Sequence, residues 1–385
     1  MRLSTVSART IVEEEWPLVL TLLPQNLEES VKQKGAILRK REVSSASVLL
    51  RLAMAYGFCG LSLRETVAWA ANAGICVLSD VALLKRLKKS GGWLGHLLAM
   101  KLAERASLCG ARVGALRLRL VDATSVCRPG STGSDWRIHL GFDLGSLQID
   151  HVELTGAKEG ESLTRIPLRE GEVAVCDRGY AHRKGIWAAV QAMAHVIVRL
   201  SWLTLPLLHP DGRKLDIIEE LRKLPDAQVG DFAVVMEGSK KDGIPAIAGR
   251  LVGVRKSREA AEKARRKLRA EAKRKGKTPN SRSLEACEYI FLFTTLSVEQ
   301  ASAQAVLEIY RFRWQVEMAF KRMKGIIYLD QMAAKDSELC RTFLLAKLLA
   351  MLLIEDLSHC LRFFSPWGYG PPSSVVTLAS VPCHS

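Results

Sequence analysis

Through the first 110 positions, apolar residues recur at helical spacing, and polar punctuation cuts the stretch into separate helices. The segment 61–89 is the best defined. Ser62 with Glu65 forms a capping-box pattern, and Gly74 suits a helix stop. Ser79 can cap a following helix that ends in Lys85, Arg86, Lys88 and Lys89. Two capped helices around a short turn, the second one basic, form a helix-turn-helix pattern, and those four cations are candidates for DNA contact. Most such helix pairs only pack against each other.

From about residue 115 the period shortens. Leu116 to Val121, Ile138 to Leu144, Ile149 to Leu154, Val173 to Cys176 and His195 to Leu200 read as five short strands. Helices are predicted to start near Glu161-Ser162 and to run between His182 and Met193. Three strands, a helix, a strand, a helix and a strand predict a mixed α/β sheet, in which ligands bind at the carboxyl ends of strands.

Residues 201–300 break this rhythm with Pro, Gly and alternating runs such as Phe232 to Met236, Ala248 to Val254 and Tyr289 to Thr294, which predict a β-rich insertion. Inside it, 255–283 is dense in Lys and Arg, opposed only by Glu259, Glu262 and Glu271. This stretch is either a basic helix or a solvated arm, and both forms hold phosphate backbones without sequence preference.

The helical period returns over Glu308 to Lys324. Ile309, Phe312, Val316, Phe320 and Met323 make an apolar stripe that can anchor a helix in a core. On one continuous helix, at about 100° per residue, Tyr310, Arg313, Glu317 and Lys324 fall within roughly 60° of arc beside it. Trp314 is expected to pack. The run Phe343 to Ile354 is the most apolar in the chain, but Lys347 interrupts it and Glu355-Asp356 closes it, so a buried core helix is expected and not a membrane span. From Phe363 the periodicity is lost and a loose tail is expected.

Composition narrows the function. At 385 residues and 48% hydrophobic content the chain can bury a main core with one or two smaller domains. A net charge of +16 and a pI near 9.6 point to a polyanionic partner, most simply nucleic acid. The 9 cysteines include no Cys-x-x-Cys pair and read as reduced thiols of a cytoplasmic protein. Glu13-Glu14-Glu15 before the apolar run Trp16 to Leu23 is wrong for a secretory signal.

Against this background two aspartates stand out. Asp122 closes Leu116 to Val121, and Asp177 closes Val173 to Cys176. Either alone reads as a turn or cap residue. Together with Glu317 beside an Arg and a Lys, they make a carboxylate set suited to hard divalent cations, which take oxygen ligands and keep substrate phosphates in their shell. Two such ions about 3.5–4 Å apart serve phosphodiester displacement without a general-base histidine. Asp135, Asp143, Glu159 and Glu161 are competing acidic residues.

Asp122-Ala-Thr, Asp177-Arg-Gly-Tyr and the spacing Tyr310, Arg313, Glu317, Lys324 resemble the motifs of bacterial DDE insertion-sequence transposases, in the IS-four family with its Tyr-Arg-Glu-Lys signature. The likeness extends to Trp136 to Asp143 and to His151 to Ser162, and it covers most of the chain. It implies an RNase H-like catalytic core over 111–200, an insertion over 201–300, a glutamate-bearing helix over 301–334, a helical N-terminal DNA-binding domain over 1–110 and a C-terminal helical region over 335–385.

By the same resemblance Asp122, Asp177 and Glu317 would ligate two Mg²⁺ ions, with Mn²⁺ able to substitute, while Tyr310, Arg313 and Lys324 would hold phosphates of the transposon end. The implied reaction is nicking at terminal inverted repeats followed by strand transfer into target DNA, by a dimer or higher multimer on double-stranded DNA of the bacterial nucleoid. Some relatives form a hairpin supported by a tryptophan of the insertion. Here the insertion's only tryptophan is Trp202, with Tyr289 nearer the expected strand. A metal-dependent nuclease without strand transfer, and an inactive remnant or DNA-binding regulator, are the alternative readings.

Overall fold

The computed structural model describes residues 16–108, 116–225 and 228–362. The tail expected from Phe363 lies outside the described residues. The N-terminal part is helical: α1 (Trp16–Thr21), α2 (Leu27–Gln33), α3 (Ala46–Gly57), α4 (Leu63–Asn72) and α5 (Asp80–Leu108). Both bonds of the Ser62/Glu65 capping box form, so the start of α4 is a local property of its sequence.

One mixed sheet of nine strands runs through the rest, in the order β3-β2-β1-β4-β5-β9-β8-β7-β6. Its first half holds β1 (Arg117–Val126), β2 (Trp136–Asp143), β3 (Gln148–Gly156), β4 (Glu172–Cys176) and β5 (His195–Arg199). β1, β4 and β5 are parallel, β2 pairs antiparallel with β1, and β3 pairs antiparallel with β2. Near Glu161-Ser162 only a 3-10 turn forms, Leu163–Arg165, whereas α6 (Arg183–Gln191) lies where a helix was expected.

The insertion does not stand apart as a subdomain. β6 (Leu207–Leu208), α7 (Ile217–Arg222), β7 (Val229–Met236), β8 (Ile247–Arg255) and β9 (Tyr289–Thr294) continue the same sheet, because β9 pairs antiparallel with β5. The basic stretch takes its helical option as α8 (Arg258–Arg274), followed by α9 (Ser281–Ala286).

The expected single helix over 308–324 is broken. α10 (Ala303–Arg311) ends, and α11 (Trp314–Ile326) begins after Phe312 and Arg313. Between them the bonds tighten to three-residue steps, with Phe312 N–H to Ile309, Arg313 N–H to Tyr310 and Val316 N–H to Arg313. The offset moves the Tyr310 face out of line with the Glu317 face. Val316, Phe320 and Met323 are buried as the pattern predicts, but Trp314 is 52% exposed and does not pack.

The apolar run forms the middle of α12 (Ser337–Arg362), a core helix. One apolar cluster joins α3, α5 and α12 to the sheet face bearing Leu118, Leu120, Val173 and Val175, so the N-terminal helices share a core with the first half of the sheet. Closeness is enforced at Gly57, where a Cβ would lie 2.6 Å from that of Ala346. Lys347, buried within α12, donates to the carbonyls of Tyr328 and Gln331 and so fastens the segment that follows α11. Among the described residues no helix is long and apolar enough to cross a membrane.

Candidate active site

The register of β1 with β4 sets the centre of the site. Val121 pairs with Cys176, so the next residues, Asp122 and Asp177, stand side by side where the parallel pairing of their strands stops. Alternation along the strands puts both on the face of Leu120 and Val175, toward the helical layer. β1 does not end at Asp122 as the apolar run implied. It continues to Val126 as the antiparallel partner of β2, and only its parallel contact with β4 stops there.

The two helices after β9 supply the rest. The Tyr310 hydroxyl donates to Asp177 Oδ1 at 3.3 Å. Arg313 sits at the break, its Nη1 3.6 Å from Asp122 Oδ2 and its Nη2 donating to Glu317 Oε1 at 2.5 Å, with the guanidinium 5.7 Å from the Tyr310 ring centroid. Arg313 thereby ties a helix-borne carboxylate to the strand-borne pair. Glu317 stays exposed on the outer side of this tie, and among the described residues no three His, Cys, Asp or Glu side chains converge as a closed metal cage. Lys324 is half-buried two turns further along α11.

Burial pushes Asp122 up to about 6, opposed by its bond from the Ala123 N–H and by Arg313 and reinforced by Asp177 and Glu161. Asp177 is also buried, yet the Arg178 N–H and the guanidiniums of Arg313, Arg199 and Arg178 hold it below the usual carboxylate range. The neighbouring aspartates are thus tuned in opposite directions. Because Asp122 is raised in the folded state, its contribution to stability is fully present below the ordinary aspartate range and is lost as pH rises through about 6. Metal-free protein is therefore expected to lose up to about 3 kcal/mol relative to Asp122→Asn between roughly pH 4 and 6. Melting temperatures of the two proteins across that range would test this, and parallel pH curves would refute it.

Sequence reasoning missed the cations behind Asp177. Arg178 follows it directly, Arg199 ends β5, and Lys256 follows β8, pushed down to about 8 by burial and by Arg199 and Arg178. Arg199 was findable, since it lies one residue before the end of the predicted strand His195 to Leu200. Trp202 lines a small hollow with Arg178 and donates to Ser283 Oγ at 3.2 Å.

Along 61–89, the segment expected to form a helix-turn-helix, the four candidate cations divide. Arg86 donates to the carbonyls of Ala36 and Arg39, and Lys88 pairs with Asp336 at 2.8 Å, so both are spent internally. Lys85 and Lys89 remain exposed and, with Arg39 and Arg41, line a hollow of about 670 Å³.

Residues 114–353 match the family model described as the transposase DDE domain, a span that contains Asp122, Asp177 and Glu317. The chain belongs to the DDE transposase family. It is 38% identical over 362 residues to the InsL protein for insertion sequence element IS186A of Escherichia coli (strain K12), covering 93% of this chain and 97% of that one. The transposase for insertion sequence element IS421 of Escherichia coli is 38% identical over 363 residues, with the same coverage. Among solved structures, a piggyBac transposase in a synaptic complex with hairpin DNA aligns over 92% of this chain and 75% of that one, with a TM-score of 0.41 and 8% identity. The transposase is accordingly a DNA-binding, DNA-cleaving enzyme of insertion-sequence transposition.

Proposed function

We propose that this transposase nicks DNA at the terminal inverted repeats of its element and joins the freed 3′ ends to target DNA, using an RNase H-like core in which Asp122, Asp177 and Glu317 hold two Mg²⁺ ions. The observation that carries this reading is the side-by-side placement of Asp122 and Asp177 where the parallel pairing of their strands stops, with Glu317 tied to them through Arg313. The donor set fits such ions: all three ligands are hard carboxylate oxygens, and Asp122 bears a buried charge that a cation would relieve. When bound, the ions polarise the scissile phosphate and favour the attacking and leaving oxygens.

The chain's own residues do the positioning. Tyr310 and Arg313 sit between the carboxylates and can pass their donors to a phosphate, Arg178 and Arg199 line the approach to Asp177, and Lys324 lies further along α11. Lys85 and Lys89, together with the exposed cations of α8, would grip duplex backbone, and two copies would bring the two element ends together.

The test is incubation with a linear duplex carrying the sequences that flank the gene, in Mg²⁺, Mn²⁺ or EDTA, with a target plasmid present. Metal-dependent nicks at an inverted repeat and joined products are expected, with end binding that falls steeply between about 50 and 200 mM salt. Scattered cuts without joined products would replace this reading with a nuclease, and EDTA-resistant cutting would remove the metal role.

A further inference from the structure

We infer that Glu161 is a fourth functional carboxylate of this site, a positioning residue that holds the water shell of a divalent cation bound by Asp122 and Asp177. The inference rests on the metal-dependent reading above and extends it to a residue outside the three expected ligands.

The loop between β3 and the 3-10 turn is built to present this side chain. Arg137 Nη1 donates to the Glu159 carbonyl at 3.0 Å, Arg165 Nε to that of Gly160 at 3.3 Å, and His182 Nε2 lies 2.8 Å from that of Glu161. Three side chains from three parts of the chain thus fix three successive peptide units. The Glu161 carboxylate then lies over Gly179, two residues beyond Asp177, where a Cβ would meet Glu161 Oε2 at 1.6 Å. Only glycine leaves room for it.

The other acidic competitors are satisfied elsewhere. Asp135 pairs with Arg128, Glu159 pairs with Arg165, and Asp143 accepts from the Ser146 N–H. Among the described residues the Glu161 carboxylate has no hydrogen bond or ion pair, although it is half-buried. The Arg137 guanidinium acts on it without forming an ion pair, whereas a carboxylate with only a structural role would be expected to take a guanidinium directly, as Glu159 takes Arg165.

A second, independent observation is Tyr180. Its side chain is fully buried three residues beyond Asp177, its hydroxyl has no hydrogen-bond partner, and burial, followed by the charge of Glu161, pushes that hydroxyl up. Buried hydroxyls are normally bonded to protein, water or an ion's shell. A metal-bound water is a strong donor, and both the Tyr180 hydroxyl and the Glu161 carboxylate can accept from it. Residues that orient a metal's ligands in this way typically contribute about 10- to 100-fold in affinity or activity.

The test uses the full chain without DNA and Mn²⁺ as the probe. Titration calorimetry of Glu161→Gln is expected to show about 10- to 100-fold weaker Mn²⁺ binding, with cleavage falling in parallel, affinity for the element end within about twofold, and partial recovery in Glu161→Asp. Wild-type Mn²⁺ affinity in Glu161→Gln overturns the inference. If Asp122→Asn and Asp177→Asn also keep wild-type Mn²⁺ affinity, the metal reading itself falls. Should Glu161→Gln fail to fold, Gly179→Ala displaces the same carboxylate without changing it. Weakened Mn²⁺ binding there supports the role, and unchanged binding overturns it.

Discussion

Exchanging Glu317 for Gln, or Asp177 for Asn, is expected to lower Mg²⁺-dependent cleavage of an element end by about a thousandfold or more, because each removes several kcal/mol of transition-state stabilisation and each 1.4 kcal/mol or so is tenfold. Binding of the same DNA should persist within a few-fold, since Arg178, Arg199, Lys85 and Lys89 are untouched. The two aspartates should nevertheless differ in stability. Asp177 is held below the usual carboxylate range, so its contribution is present above the ordinary aspartate pKa and is lost as pH falls through the lowered folded value. Asp177→Asn should therefore destabilise the protein at pH 7, whereas Asp122→Asn should stabilise the metal-free protein, because Asp122 is raised to about 6. Gel assays of cleavage and binding, with melting curves of the metal-free variants, separate these effects. Cleavage within tenfold of wild type in Glu317→Gln would remove its ligand role, and stability shifts of the same sign in the two Asn variants would remove the opposed tuning.

What could be read from sequence was local or periodic. The capping box at Ser62, the core strands before Asp122 and Asp177, and the buried helix around Phe343 to Ile354 each depend on neighbours within a few residues. The break at Phe312 and Arg313 escaped because apolar spacing is nearly the same for one helix and for two joined by a tight turn. Glu161 was one acid among four until its neighbours' partners were known. The joining of the insertion to the sheet was equally hidden, since β9 meets β5 across roughly a hundred residues. Arg86 and Lys88 were candidate DNA cations on a charge pattern that cannot show a side chain already partnered within the protein.

The largest loss of stability is expected at Arg105, a position without any sequence signal. Its side chain is buried, and it donates from Nε to Asp356 Oδ1 at 3.1 Å, from Nη1 to Glu355 Oε2 at 2.7 Å and the Ile149 carbonyl at 3.0 Å, and from Nη2 to the Leu352 carbonyl at 2.6 Å. One guanidinium thus locks α5 to α12 and to the start of β3. Arg105→Ala would leave the partly buried Glu355 carboxylate without its cation, Asp356 with Lys101 alone at 3.1 Å, and two carbonyls without this donor, and breaking such a pair costs about 3–5 kcal/mol. Lysine should not rescue it, because a single ammonium cannot reproduce the planar fork. By contrast, the exposed pair Arg222–Glu285 should contribute less than about 1 kcal/mol. Urea unfolding of the two alanine variants provides the comparison, and a cost at Arg105 no larger than at Arg222 would refute the argument. Neutralising both partners with Glu355→Gln and Asp356→Asn in the Arg105→Ala background should recover part of the loss, because the penalty lies mainly in the stranded charges. The effect should also reach the chemistry. α12 carries Lys347, which fastens the segment after α11, so loosening α12 at its far end would slacken the helix that presents Glu317.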